Sequence, residues 1–160
     1  MKPGQILVAD HAGVNVIKMV GDVRLTLCLS FDAFIDGMFE REDFVSILFD
    51  LSDAEAIDST TLGLMAKISL LAQERRGIMP IVLSTNASID HLLASMGFND
   101  LFSIIHEYNG AMPQAQPLAA GELAEDAVKE KVLEAHKLLM GLNESNRATF
   151  LDLVKSLEQG

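Results

Sequence analysis

Tryptophan is absent from this chain, and tyrosine and cysteine occur once each. With one thiol, Cys28 in Leu27-Cys28-Leu29, no intramolecular disulfide is available, so packing alone must hold the fold. Cys28 reads as a small buried hydrophobe in a reduced compartment. Basic charge is also scarce: 12 Lys and Arg stand against 23 Asp and Glu, a formal net charge of −11. That excess opposes attraction to phosphate backbones and anionic lipid surfaces, which argues against nucleic acid and membrane and for a protein partner. No run reaches the roughly 20 apolar residues of a bilayer span. Met1-Lys2-Pro3-Gly4 leads into a short strand-like run and lacks the apolar stretch and cleavage site of a signal peptide. A cytoplasmic location is expected.

Signatures of chemistry are missing too. There is no Gly-x-Ser-x-Gly elbow and no glycine-rich phosphate loop. His11, His91, His106 and His136 are scattered, no His or Cys pair has close ligand spacing, and the acids lack the glycine-punctuated calcium-loop pattern. Neither metal nor cofactor is expected, and the chain is not read as an enzyme.

What is present is a chain of 160 residues, 49% apolar, enough for one ordinary core and an appendage. Ile6–Ala9 and Val14–Met19 are short β-prone runs around the turn chemistry of Asp10-His11-Ala12-Gly13, and they predict a hairpin. Gly21-Asp22 predicts a further turn and Val23-Arg24-Leu25 a third short strand. Phe31, Phe34, Ile35, Met38 and Phe39 recur at helical spacing, with Ser30 placed to cap the first turn.

Phe44–Leu51 is nearly continuous apolar sequence, as in a strand covered on both faces, and an acidic loop with Asp53, Glu55 and Asp58 is expected after it. A helix over 59–76 closes at Gly77, Pro80–Ser84 makes the next strand, Ser88–Met96 a short helix, and Leu101–Ile105 the last strand. Strand and helix alternating over 44–105 call for parallel pairing through right-handed crossovers, with the early hairpin joined to the same sheet.

Gly110, Pro113, Pro117 and Gly121 give residues 110–121 linker composition. The expected organisation is a sheet domain over 1–109, a linker over 110–121 and a helical hairpin over 122–160. The hairpin's stripes are Val128, Val132, Ala135, Leu139 and Phe150, Leu153, Val154, Leu157. Too small for a core of its own, it must dock on the domain, pair with a second copy as a homodimer, or fold on a partner.

Asp58-Ser59-Thr60-Thr61 lies where the acidic loop becomes a helix, so Asp58 or Ser59 supplies the N-cap oxygen. A phosphate at this position would face the positive end of the helix dipole and free N–H donors, leaving the helix intact. It would also add about −1.5 to −2 charges at the surface, spoiling the fit of any partner packed there. Nine acids and one base, Arg41, occupy residues 31–58, so the added charge would fall in acidic sequence.

The segment Ile47-Leu48-Phe49-Asp50-Leu51-Ser52-Asp53-Ala54-Glu55-Ala56-Ile57-Asp58-Ser59-Thr60-Thr61-Leu62-Gly63-Leu64-Met65 resembles the signature of STAS-domain anti-sigma factor antagonists. Pro80–Ser84 and Met96-Gly97-Phe98-Asn99-Asp100-Leu101-Phe102 are similar to the strand and pre-strand stretches that follow it, and together they cover about residues 5–108. The resemblance implies an α/β STAS fold: a four- to six-stranded mixed sheet with helices mainly on one face, here followed by a C-terminal α-hairpin.

It further implies a phospho-switch. Ser59, directly after the motif's Asp58, would be phosphorylated by a serine kinase and restored by a PP2C-type phosphatase, with Thr60 as the alternative acceptor. Unphosphorylated, the chain would bind an anti-sigma factor or the kinase through Asp58, Ser59, Thr60, Thr61, Leu62, Asp53 and Glu55, and so regulate transcription. Thr61 departs from the Gly common in the family, and the helical extension departs from a compact single domain. Two alternatives stand beside this reading: a STAS module that binds a nucleotide, a lipid or a non-sigma signalling partner, and an adaptor that acts through the hairpin.

Overall fold

The computed structural model describes residues 2–108, 114–118 and 121–159. In it the chain is an α/β protein with a mixed six-stranded sheet and five α-helices. Strands β1 (Gln5–His11) and β2 (Val14–Val23) form the expected antiparallel hairpin. Its turn uses left-handed backbone at Ala12 and Gly13 (φ 52° and 86°), the geometry tight hairpin turns require.

Next come α1 (Phe31–Glu40), β3 (Ser46–Ile57), α2 (Ser59–Arg76), β4 (Ile81–Leu83), α3 (Ala87–Ser95), β5 (Ser103–Ile105), β6 (Gln116–Pro117), α4 (Glu125–Met140) and α5 (Glu144–Gln159). The sheet order is β5-β4-β3-β2-β1-β6. β2 through β5 are parallel and β1 and β6 antiparallel to their neighbours.

Because β2, β3, β4 and β5 lie side by side in chain order, right-handed crossovers put α1, α2 and α3 on the same face. Burial follows this layout. Ile17, Met19, Ile47, Phe49, Leu51 and Val82 point into the main core together with residues of all five helices. The alternating positions Val16, Leu48 and Leu83 form a second cluster made of strand residues.

Three local expectations are corrected. Val23-Arg24-Leu25 is not a separate strand: β2 continues to Val23, and Gly21 (φ 70°) sits within it at irregular pairing with β3, serving as a bulge. A 3₁₀ turn over Leu25–Leu27 follows. The acidic loop is also absent, because β3 runs on to Ile57 beside β2 and carries Asp53 and Glu55 on its exposed side. Ser30 stands at the N-cap of α1, but its hydroxyl makes no capping bond to the helix.

Gly110 and Pro113, part of the expected linker, lie outside the described residues. Within 110–121, Gln116–Pro117 forms β6 against Leu7 and Val8 of β1. A proline is tolerated there because an edge strand can do without one ladder N–H.

The helical hairpin docks on the sheet domain. Leu139 and Phe150 belong to the main core, with Met140 and Leu142 packed against it. At the turn between α4 and α5, Asn146 Nδ2 donates to the carbonyls of Met96 and Leu139, each at 2.9 Å, satisfying a buried amide. The hairpin also explains α2, whose Thr60 through Ala66 are buried without a break: the helix is packed between the sheet and α4.

Candidate functional site

Ser59 is the first residue of α2, and Asp58 is its N-cap in extended backbone (φ −73°, ψ 163°). The two carboxylate oxygens of Asp58 hold two different segments. Oδ1 accepts from Thr61 N–H at 2.8 Å, the capping bond, and Oδ2 accepts from Leu25 N–H at 2.8 Å, in the stretch after β2. The start of α2 is thereby fixed to the pairing of β2 with β3.

The three hydroxyls after Asp58 fare differently. Ser59 is part-exposed, whereas Thr60 and Thr61 are buried. Thr61 Oγ1 lies 3.5 Å from Cys28 Sγ, so the β-branch expected at a docking surface faces the core instead. Leu62 is likewise a core residue. Burial in apolar surroundings pushes the Cys28 thiol up to about 12, against the smaller opposing effect of the Thr61 hydroxyl.

Asp53 and Glu55 lie away from this cluster. Asp53 pairs with Lys18 at 3.0 Å, and Glu55 accepts from the Lys2 backbone N–H at 2.8 Å. Two more acids of residues 31–58 have partners of their own: Asp50 is buried and accepts from Ser52, and Asp43 pairs with Arg41. These four carboxylates are each engaged with partners other than Ser59.

Ser59 meets a residue that the sequence did not single out. Its Oγ lies 2.7 Å from Nε2 of His136 on α4. Nδ1 of the same ring is 2.7 Å from the Val132 carbonyl, which can only accept. Nδ1 therefore carries a proton, and in the neutral ring Nε2 accepts from the serine hydroxyl. The imidazole is 2% exposed and packs edge-on against Phe150, with centroids 5.0 Å apart. His136 sits beside the expected Val132, Ala135, Leu139 stripe, but a pairing across 77 residues leaves no local mark in sequence.

Further along, α2 and α4 approach closely. A Cβ added at Gly63 would come within 2.5 Å of Ala135 Cβ, so only glycine fits opposite that helix. One turn on, Lys67 Nζ reaches Glu134 at 2.8 Å and Asp32 of α1 at 3.2 Å, and Lys131, buried on α4, also donates to Asp32.

Burial favours the protonated form of Asp32, but hydrogen bonds and charge from Lys131 and then Lys67 outweigh it and hold the carboxyl below its ordinary range. Burial likewise works against the charge on Lys67, and its bonds to Glu134 and Asp32 outweigh that, so its affinity for its proton is raised.

Positions 59, 63 and 67 are one i, i+4 stripe of α2, and α4 covers all three. Among the described residues no group of three or more His, Cys, Asp or Glu is arranged to hold a metal, and no helix is long and apolar enough to cross a membrane. No family model matches the chain, and no curated protein matches it.

Proposed function

We propose that the chain is an anti-sigma factor antagonist of the STAS type, a protein-binding switch without catalysis of its own, set by phosphorylation of Ser59. The observation that carries this reading is the contrast at the start of α2: of the three consecutive hydroxyls, Ser59 is part-exposed while Thr60 and Thr61 are buried. Its place in the first turn, directly after the Asp58 cap, puts an added phosphate by the helix's positive end. The unmodified chain binds an anti-sigma factor or kinase, a PP2C-type phosphatase restores that form, and the phosphorylated chain releases its partner.

Peptide mass spectrometry of the protein isolated from cells tests the assignment. Phosphate on Ser59 is expected; phosphate on Thr60 or Ser52 with Ser59 bare would overturn it. The phosphoserine form should bind its partner at least tenfold more weakly than Ser59→Ala, about 1.4 kcal/mol. Equal affinities would end the switch reading.

A further inference from the structure

Resting on the reading of Ser59 as the switch residue, we infer that the α4–α5 hairpin is a resident occupant of the docking face: a tethered lid that competes with a helical partner for the 59, 63, 67 stripe of α2.

Three observations converge on it. The Ser59 hydroxyl is spent on His136 at 2.7 Å, a separation that leaves no room for a phosphoryl group between the two side chains. Gly63 provides a notch that a helix with a small side chain can enter, and Ala135 fills it. Lys67 is met by a carboxylate from the lid, Glu134. An external helix that replaces α4 must therefore bring a small residue over Gly63, an acid to Lys67 and an acceptor to Ser59.

Leu139 and Phe150 anchor the hairpin in the main core, while its contacts over the stripe itself can be exchanged. Over the stripe its contacts are polar or small: one hydroxyl–imidazole bond, one glycine–alanine approach and the Lys67, Asp32, Lys131, Glu134 ion cluster. A competing helix can reproduce each of them. Phosphate on Ser59 breaks the imidazole bond and adds charge beneath α4, so modification and lid closure oppose each other. Ser59 thus has two exclusive engagements while unmodified, His136 or an outside partner, and phosphorylation weakens both.

The test uses the full chain and, as probe, a fluorescent peptide of residues 122–159. Ala135→Glu places a long side chain over Gly63 and alters the lid while leaving every residue of α2 unsubstituted. It should bind the peptide at least tenfold more tightly than the unsubstituted chain, whose own hairpin excludes it. Genetically encoded phosphoserine at 59 in that variant should reduce the binding at least tenfold. In the otherwise unsubstituted chain, phosphoserine 59 should speed amide exchange throughout α4 at least tenfold and leave β3 and β4 unchanged.

Equal peptide binding by the two chains would overturn the lid, as would unchanged α4 exchange on phosphorylation. Should Ala135→Glu unfold the sheet, the exchange experiment on the phosphoserine chain decides alone. Neither readout involves a kinase or a sigma regulator. If Ser59 is unmodified in cells while these results hold, the switch reading fails and the lid stands.

Discussion

Ser59 and His136 are joined by a 2.7 Å hydrogen bond, in which the serine is the donor when the ring is neutral, because the Val132 carbonyl holds the Nδ1 proton. In isolation that is a nucleophile beside a base, the arrangement hydrolases use. Here the second ring nitrogen is held by a backbone carbonyl and not by a carboxylate, and the imidazole is enclosed by Phe150. His136 itself is buried, so a substrate that approaches the part-exposed serine would not meet the base from solvent. A fluorophosphonate probe should leave Ser59 unlabelled under conditions that label a serine hydrolase, as read by intact mass; stoichiometric adduct at Ser59 would favour an enzymatic reading over the switch.

Gly63 sets two effects of opposite sign against each other. In a free helix Gly→Ala gains about 1 kcal/mol, whereas forcing a methyl against Ala135 costs about 1–3 kcal/mol. The second should prevail. Gly63→Ala is expected to lower the urea midpoint by the equivalent of about 1 kcal/mol, and a raised midpoint would show that α4 does not approach so closely.

Asp32 joins α1 to both α2 and α4, so its loss strands Lys131 and leaves Lys67 with Glu134 alone. Asp32→Ala should cost about 1–2 kcal/mol because Lys131 remains buried without its carboxylate, the half-exposure of Asp32 keeping the figure below that of a fully buried pair. Lys131→Met, which keeps the packing and removes the charge, should cost less. Urea titrations of the two variants give the order, and a reversed order would contradict the pairing.

The same cluster has a pH signature. The folded-state carboxyl of Asp32 is held below its unfolded value, so its contribution is complete above that unfolded value, ordinarily about 4, and is lost as pH falls through the folded value. Lys67 is shifted upward, so its contribution is complete below its ordinary value of 10.5 and is lost as pH rises beyond the folded one. Amide exchange in α4, corrected for its intrinsic pH dependence, should show constant protection near neutrality and weaken below about pH 4. Asp32→Asn should remove most of the acid limb.

Cys28 is fully buried, and its thiol is pushed up to about 12. Iodoacetamide at pH 8 should therefore modify it only after unfolding, at a rate that follows denaturant concentration. Rapid alkylation of the native chain would mean that the Cys28–Thr61 contact is not formed.

The α/β order and most element positions were legible because periodicity is a local property: α1 and α2 fall where their apolar spacing and terminal glycine put them. The end of β3 was not, because acids at 53, 55 and 58 resemble a loop until the partner β2 is seen to run alongside them. The cap was legible as either Asp58 or Ser59, a short polar residue before a helix being a local signal, and the structure assigns it to Asp58. His136 and Lys131 were not legible. Their significance comes from α4 crossing α2, and a polar residue beside a helical stripe carries no sign of what it will meet.

The double use of Asp58 has a consequence for timing. One carboxylate accepts from both Leu25 and Thr61, so these two amides share a fate: neither bond can open by movement of the carboxylate without releasing the other. Ser59 consequently rides on a fixed point, tied to the central strands, while the helix opposite it belongs to an appendage. A chemical change at the serine is then spent on motion of α4, and the sheet stays as an immobile frame against which that motion is measured.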